Sequence, residues 1–348
     1  MLSVKNVSYK IGNFSLKEIS FEVEKGDYFV ILGLSGMGKS LLLETIAGLI
    51  TPDAGEIHLR GKNIFKEKTQ NLNISIVYQD AVLFPHKNVF ENIAYPLRSR
   101  GVKHTKENVL KFAQMTGIAD KLDRKPDTLS GGETQRAALA RSLASGSDIF
   151  LLDEPLSSLD SKSAFELRTL FRKLNREGIT IIHVTHSYEE AISLANKIGV
   201  MENGMMVHID KPAEIFRHPK SEFVAHFVGA KNFLKGVLSP LPGTDLNVFE
   251  SDGVKINVLT EIEPGESFLL INPEDITISN NPGESSSRNR FKGIIMDMAP
   301  ARIGFEITAD IGVDLIATVS EDALKDLKLE IGKEIWLNFK ASACRIYK

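Results

Sequence analysis

The segment GLSGMGKS, residues 33–40, directly follows the apolar run YFVIL and directly precedes a second apolar stretch. It matches the pattern G-x-x-x-x-G-K-[ST], and a strand before it with a helix after it is the context of a phosphate-binding loop. Glycines let the backbone fold tightly, so its N–H groups and the start of the helix face one bound anion. The segment predicts a P-loop α/β domain in which Lys39 reaches the β- and γ-phosphates of a nucleotide and Ser40 binds Mg²⁺.

The chain falls into two regions with different sequence patterns. Up to about residue 230, apolar runs alternate with helical patterns: a helix is predicted over residues 40–49, IFLLD follows one at 131–144, and TIIHVTH follows one near 164–176. Such alternation favours a largely parallel sheet. Beyond it, brief β-rich runs separated by Gly, Pro, Asp and Asn predict a small all-β, barrel-like domain, and whether this region is an internal duplication is left open. Two domains, residues 1–230 and 231–348, are therefore expected.

Composition and charge limit which binding partners and which cellular compartment are expected. The formal net charge of -3 provides no broad basic field, so no nucleic acid partner is expected. The single cysteine, Cys344, cannot form an internal disulfide, and the first ten residues lack the apolar core of a secretory signal. The most apolar stretch is interrupted by Lys39 and by glycines, so it fails as a membrane span of about 20 residues. A cytoplasmic protein is predicted, and any membrane role would depend on another polypeptide.

Two further segments carry charged or anion-binding groups. IFLLDEP, residues 149–155, places Asp153 and Glu154 at the tip of an apolar strand, which faces the ligand crevice of a parallel sheet. Asp153 is predicted to hold Mg²⁺ through water, and Glu154 to be the base for a water that attacks the γ-phosphorus, although either acid alone would more often be a helix cap.

LSGGETQRAALARSLAS predicts a second anion-binding helix start at Ser130. One chain cannot easily bring both helix starts to one phosphate, so the second is expected to serve a nucleotide held by another copy.

The motifs GLSGMGKS, LSGGE, LLDEP, SSLD and VTHS, in this order, resemble those of the ATPase subunit of ABC transporters, over about residues 1–230. The resemblance implies ATP and Mg²⁺ as cofactors and a homodimer that encloses two ATP molecules. It implies that Gln79 senses Mg²⁺ and the attacking water, that Asp160 is the D-loop aspartate, and that His186 is the switch histidine at the γ-phosphate. The predicted nucleotide-binding residues are Gly33, Leu34, Ser35, Gly36, Met37, Gly38, Lys39, Ser40, Ser130, Gly131, Gly132 and Asp160; the predicted catalytic residues are Glu154, His186 and Gln79; the predicted metal-binding residues are Ser40, Gln79 and Asp153. Ile11 occupies the position where the family usually stacks an aromatic ring on adenine.

Two segments resemble importer ATPases in particular. DAVLFPHKNVFENIAYPLR, residues 80–98, is similar to the segment that contacts the membrane subunit, with Val82, Leu83, Phe84 and Val89 as apolar candidates, unless these are ordinary core residues. Residues 208–229 resemble the domain boundary of the maltose, sulfate and molybdate importer group. The resemblance implies a peripheral protein on the cytoplasmic face of the membrane, with transmembrane permease subunits and, indirectly, an extracytoplasmic oxyanion-binding protein as partners. A soluble ABC-type ATPase acting on nucleic acid or ribosomes is the alternative.

The β-rich region contains two segments similar to molybdate-binding (Mop-type) domains. SSRN followed by FKG resembles their S-A-R-N and glycine pattern, and FKAS resembles their Lys-Ala or Lys-Ser element. The predicted oxyanion-binding residues are Ser286, Ser287, Arg288, Asn289, Lys340, Ala341 and Ser342. A tetrahedral dianion has only acceptor oxygens, and hydroxyls, N–H groups and cations are the donors it needs. The predicted function is a molybdate/tungstate import ATPase that the cytoplasmic oxyanion inhibits by feedback. Sulfate or another solute is the alternative cargo. The alternative for the segment SSRN is a solvated loop that binds no anion.

Overall fold

The computed structural model describes the chain except residues 158, 218, 220–221, 228–230, 283–285 and 302, and except the side chains of residues 216, 217, 222, 226 and 227. The chain divides into two units, Met1–Ile215 and Phe216–Lys348. The domain boundary predicted between residues 230 and 231 stays a prediction. It lies just before the first strand of the second unit, Asn232–Pro240.

The first unit is an α/β domain. Its strands are β1 (Leu2–Ile11), β2 (Phe14–Val23), β3 (Tyr28–Leu32), β4 (Ala54–Leu59), β5 (Lys62–Asn63), β6 (Ile74–Val77), β7 (Ile149–Asp153), β8 (Thr180–Thr185), β9 (Lys197–Glu202) and β10 (Met205–Asp210). Its helices are α1 (Lys39–Ile46), α2 (Val89–Ser99), α3 (Thr105–Thr116), α4 (Gly131–Ala144), α5 (Ser161–Arg176) and α6 (Tyr188–Leu194), and α7 (Pro212–Arg217) crosses the division between the units.

The central sheet of this unit has the order β10-β9-β3-β8-β7-β6, and its pairs from β9 through β6 are all parallel. Every residue of β3, β7 and β8 is buried, because helices or a second sheet cover both faces of a parallel sheet. The second sheet, β2-β1-β4-β5, shares one apolar core with α1. The parallel strands end at one edge, where residues 33–40, Glu154 and His186 follow β3, β7 and β8.

The second unit is β-rich. After α8 (Glu222–Phe227), its elements are β11 (Asn232–Pro240), β12 (Asn247–Ser251), β13 (Val254–Val258), β14 (Gly265–Ile271), β15 (Thr277–Ser279), β16 (Asn289–Pro300), β17 (Phe305–Asp310), β18 (Asp314–Val319), α9 (Glu321–Asp326), β19 (Glu334–Phe339) and β20 (Arg345–Tyr347). The strands form two five-stranded sheets around one apolar core. The predicted fold class, a P-loop α/β domain followed by a small β-rich domain, is confirmed.

The two sheets of the second unit repeat one arrangement. One has the order β13-β12-β11-β14-β20, and the other has the matching order β18-β17-β16-β19-β15, so each sheet takes its edge strand from the other half of the sequence. KNFLKGVL at the start of the first half corresponds to RNRFKGII at the start of the second. The structure thus answers the question of duplication that the sequence left open: the unit contains two copies of one fold.

A buried asparagine occupies the same position in each copy. Asn232 in β11 accepts from the backbone N–H of Ile316 in β18 at 2.6 Å and donates to its carbonyl at 2.8 Å. Asn289 in β16 accepts from the N–H of Asn257 in β13 at 2.7 Å and donates to its carbonyl at 2.8 Å. Because β13 and β18 are equivalent strands, the two amides tie the sheets together reciprocally.

Asn232→Ala and Asn289→Ala should each lower the free energy of unfolding of the second unit by about 2–4 kcal/mol, because each removes the partner of the N–H and of the carbonyl of a half-buried residue, Ile316 or Asn257. Trp336, the only tryptophan of the chain, lies in β19, so its fluorescence during urea unfolding reports on this unit. Asn281→Ala, at an exposed position, is the control. A loss no larger than that of the control would contradict the bridging role.

Candidate functional site

The loop of residues 33–40 leaves β3 and enters α1 through two glycines with left-handed backbone. Gly36 has φ of 81° and Gly38 has φ of 90°. At Gly38, a Cβ atom would lie 2.6 Å from the ring of Phe14, so the close approach of that ring also excludes a side chain. Leu34 and Ser35 are exposed, and Met37 is half-buried. The loop has the backbone turn that a P-loop requires.

Lys39 is held at the centre of this loop. Its side chain is 5% exposed, and Nζ donates to the carbonyls of Gly33 at 2.9 Å and Leu34 at 2.8 Å. Nζ lies 3.7 Å from Oε1 of Glu154. Burial lowers the pKa of Lys39, while the carboxylates of Glu154 and Asp153 act in the opposite direction. The ammonium group is thus fixed beside two acids, where a phosphate could share it.

Asp153 and Ser40 fit a Mg²⁺ ion. Asp153 is 6% exposed, and its Oδ1 has no hydrogen-bond partner in the part of the chain that the structure describes. Burial raises the pKa of this carboxyl group, and a hydrogen bond with the Ser40 side chain opposes that rise. Mg²⁺ commonly takes one or two protein oxygens together with phosphate and water, so a free carboxylate oxygen beside a hydroxyl suits it. No group of three or more His, Cys, Asp or Glu suited to a metal occurs among the described residues.

Glu154 and His186 form a direct pair across the ends of β7 and β8. Nδ1 of His186 lies 2.6 Å from Oε2 of Glu154. Glu154 has φ of 45°, a left-handed conformation that is uncommon for a residue with a side chain, and its N–H donates to the carbonyl of Val184 at 2.9 Å. Such strain is typical of functional sites. Gln79, also predicted here, is exposed two residues beyond β6 and so follows the same sheet edge.

The structure places Ser130 and Asp160 at helix starts. Ser130 caps α4, with its hydroxyl accepting from the N–H of Glu133, and the Glu133 carboxylate accepting from the N–H of Ser130 in return. Gly131 and Gly132 form the first turn of α4. Asp160 caps α5 by accepting from two backbone N–H groups. The side-chain hydrogen bonds of Ser130 and Asp160 lie within these caps, and the contacts of both residues with nucleotide stay predictions.

Ile11 ends β1 and is 52% exposed, opposite Phe14 in the β1–β2 pair. The Phe14 ring lies against Gly38, so this hairpin brings an aromatic side chain next to the phosphate loop, whereas Ile11 itself is aliphatic.

The two segments predicted to bind an oxyanion are neighbours in the fold. Asn289, the first residue of β16, pairs with Phe339, the last residue of β19, in an antiparallel register. Ser286 to Arg288 and Lys340 to Ser342 therefore lie at one end of the same strand pair. Ser286, Arg288, Lys340 and Ser342 are exposed, Ser287 is half-buried, and Ala341 is 7% exposed. The amide of Asn289 is engaged with the backbone of Asn257, and binding of an oxyanion by these residues stays a prediction.

Comparison with known proteins agrees with these motifs. A family model described as ABC transporter matches residues 16–157, and one described as TOBE domain matches residues 285–346. The chain is 38% identical to the molybdate/tungstate import ATP-binding protein WtpC of Pyrococcus abyssi, with 100% of each chain covered. It is 35% identical to the sulfate/thiosulfate import ATP-binding protein CysA of Thermosynechococcus vestitus, covering 97% of this chain and 95% of that protein.

The chain belongs to the ABC transporter ATP-binding subunits. Among solved structures it resembles a dimeric post-hydrolysis state of the ATP-binding cassette MJ0796 bound to ADP and Pi, with a TM-score of 0.57 and 31% identity, covering 61% of this chain and 99% of that one. The chain is thus an ATP-hydrolysing subunit of an importer. The similarity to import proteins favours this class over the alternative, an ATPase that acts on nucleic acid or ribosomes. Within the described residues, no helix is both long and apolar enough to cross a membrane.

An apolar groove lies beside Gln79 in this ABC subunit. It has a volume of about 490 Å³ and is lined by residues 76–78 and 81–85 with three residues of α4. Val82 is 71% exposed there, whereas Leu83 is 5% and Val89 is 0% exposed. Arg141 of α4 donates to the carbonyl of Val82 at 2.7 Å and fixes the loop. Of the four apolar candidates, Val89 is a core residue, and Val82 is the one most open to a partner.

A polar group inside the first unit was missed from the sequence, and it consists of two buried residues, Tyr28 and His183, and the half-buried Glu190. Tyr28 and His183 are 0% exposed, and the Tyr28 hydroxyl lies 3.0 Å from Nδ1 of His183. Burial raises the pKa of Tyr28 well above its ordinary value. The signal available in the sequence was a single histidine inside the apolar strand TIIHVT, two residues before the strand ends. An imidazole is costly to bury there without partners.

Proposed function

We propose that this chain is the energy-coupling ATPase of a molybdate/tungstate importer, acting as a homodimer on the cytoplasmic face of the membrane. The observation that supports this cargo is the antiparallel pairing of Asn289 with Phe339, which brings the segments SSRN and FKAS together. Full-length similarity to a molybdate/tungstate import protein supports it. Sulfate is the second candidate, because the chain is 35% identical to a sulfate/thiosulfate import protein and sulfate is also a tetrahedral dianion.

In the proposed reaction, the loop N–H groups and Lys39 bind the phosphates of ATP, and Ser40 and Asp153 hold Mg²⁺. Bound there, Mg²⁺ would neutralise charge on the phosphate oxygens. Glu154 takes a proton from the attacking water, and His186, 2.6 Å away, orients Glu154 and contacts the γ-phosphate. Gln79 orients the same water. Ser130 to Gly132 of a second copy close the site with a helix start, whose partial positive charge favours phosphate.

The proposed importer also needs a permease, a separate polypeptide. The groove beside Gln79 suits an apolar element of such a partner, because Val82 presents an exposed aliphatic side chain on a loop held by Arg141. Gln79 lies between the end of β6 at Val77 and that loop. Movement of the permease could therefore reach the water-orienting residue through a few residues of backbone.

The proposed oxyanion site makes the ATPase responsive to its product. Arg288 and Lys340 are exposed cations at one end of a strand pair, and the serine hydroxyls with nearby N–H groups supply further donors. Cytoplasmic anion that accumulates can inhibit hydrolysis if it binds the resting dimer more tightly than the closed one. The site would be shared between the β-rich units of the two copies. Molybdate and tungstate differ from sulfate in size rather than charge, so the size of the cavity must select among them.

The test measures ATP hydrolysis by the assembled complex against molybdate, tungstate and sulfate. We expect molybdate and tungstate to lower the rate at least about tenfold, and Arg288→Ala to abolish the effect. Lys292→Ala is the matched control, since Lys292 lies in β16 and its ammonium group pairs with Glu334 of β19 at 2.8 Å. Inhibition by sulfate alone would indicate the second cargo. An unchanged rate with all three anions would refute the feedback site.

A further inference from the structure

Glu190 of α6 reaches inward beneath the turn that carries His186. Its Oε2 lies 3.3 Å from Nε2 of His183, and its side chain is 13% exposed. The two atoms approach at an ion-pair distance without the alignment of a hydrogen bond. Burial raises the pKa of Glu190, but the side chains of His183 and Thr185 outweigh this and keep it below its ordinary value. The carboxylate therefore joins α6 to β8, and His183 continues the contact to Tyr28 in β3.

The start of α6 differs from those of α2 and α4. In those helices the third residue is a glutamate, Glu91 or Glu133, whose carboxylate accepts from the backbone N–H of the cap. Glu190 is the third residue of α6, and its N–H donates to the hydroxyl of the cap, Ser187, at 3.3 Å. The N–H of Ser187 instead donates to Oγ1 of Thr185 at 3.0 Å. The Glu190 carboxylate is thus released from the usual capping box and turned into the protein.

His186 lies between the two residues that this arrangement fixes, Thr185 and Ser187. Its own side chain is 53% exposed, so packing does little to hold it, yet Nδ1 must stay 2.6 Å from Glu154. We propose that Glu190 is a positioning residue for His186, anchoring α6 to β8 so that the imidazole stays against the Glu154 carboxylate. This inference rests on the proposed role of His186 in hydrolysis. Tyr28 of β3 supports this anchor, because its hydroxyl lies 3.0 Å from Nδ1 of His183.

Glu190→Ala should lower kcat for ATP hydrolysis about tenfold or more and leave KM and the affinity for ATP within about twofold, because the phosphate loop is untouched and only the alignment of His186 is lost. Glu190→Gln keeps the shape and an acceptor oxygen, so its kcat should be higher than that of Glu190→Ala and within about threefold of the wild type. Glu107→Ala is the control: Glu107 is also the third residue of a helix, α3, but is exposed. Thermal unfolding of the full chain accompanies each assay.

A double-mutant cycle separates positioning from general stability. Adding Glu190→Ala to His186→Ala should lower kcat no further than His186→Ala does alone. An equal fold-loss in both backgrounds, or lost ATP affinity in Glu190→Ala, would overturn the inference. If Glu190→Ala does not fold, Glu190→Gln enters the same cycle, with an expected loss of about threefold that vanishes in His186→Ala. Wild-type turnover in His186→Ala alone would instead remove the proposed role of His186.

Discussion

Glu154→Gln should bind ATP with nearly wild-type affinity and hydrolyse it about 10²–10⁴-fold more slowly. The amide has the size of the carboxylate, so the site around Lys39 keeps its shape, but it cannot accept a proton from water. In the wild type, Oε2 of Glu154 lies 2.6 Å from His186 and Oε1 lies 3.7 Å from Lys39. One oxygen is thus oriented and the other lies towards the phosphate loop. Single-turnover hydrolysis and the binding of a fluorescent ATP analogue measure the two effects separately.

Glu177→Gln, the same chemical change at an exposed carboxylate after α5, is the control and should hydrolyse ATP normally. A wild-type single-turnover rate in Glu154→Gln would exclude Glu154 as the base. A loss of ATP binding would indicate that its negative charge organises Lys39, because the two groups are neighbours. These outcomes are distinct, since one concerns the rate of the bound complex and the other its formation.

Sequence predicted the nucleotide edge of the fold closely because each element there has a strong local signal. The runs YFVIL and IFLLD are the observed strands β3 and β7, and the helix predicted over residues 131–144 is α4 with the same bounds. The helix predicted over residues 40–49 is shorter, Lys39–Ile46, because Gly48 beyond it has φ of 72°. Fully apolar strands, glycine turns and a serine cap require no knowledge of distant residues.

The contacts that depend on tertiary neighbours could not be predicted. Glu190 has the sequence position of a capping-box glutamate, and only the packing of α6 on β8 shows that its carboxylate contacts His183 instead. The oxyanion-binding role predicted for Asn289 stays a prediction, whereas the bonds of its amide to Asn257 across the two sheets were not predicted. The role of Asn289 as a bridge between the sheets follows from the repeated strand order. Local sequence patterns did not reveal this repeat, because 57 residues separate Asn232 from Asn289.

Lys39→Ala should weaken ATP binding at least about 10²-fold, roughly 3 kcal/mol, which is the scale of a buried charge-assisted contact. The ammonium group is already buried and oriented by the carbonyls of Gly33 and Leu34, so little ordering is needed when phosphate arrives. Its removal also leaves Asp153 and Glu154 without their neighbouring cation, and two carboxylates then repel a polyphosphate. The loss should be larger for ATP than for ADP, because Lys39 is proposed to reach the γ-phosphate as well as the β-phosphate.

Binding of both nucleotides by calorimetry checks this prediction, with Lys173→Ala, an exposed lysine of α5, as the control. Lys39→Arg should also weaken binding, because a planar guanidinium does not fit the compact position between two carbonyls. Equal affinity of Lys39→Ala and the wild type for ATP would mean that the loop N–H groups carry phosphate binding alone. The two variants should fail at different steps: Lys39→Ala loses ATP binding, whereas Glu154→Gln still binds ATP and loses hydrolysis. One sheet edge would then hold separable binding and chemical functions, after two strands, β3 and β7, that β8 separates.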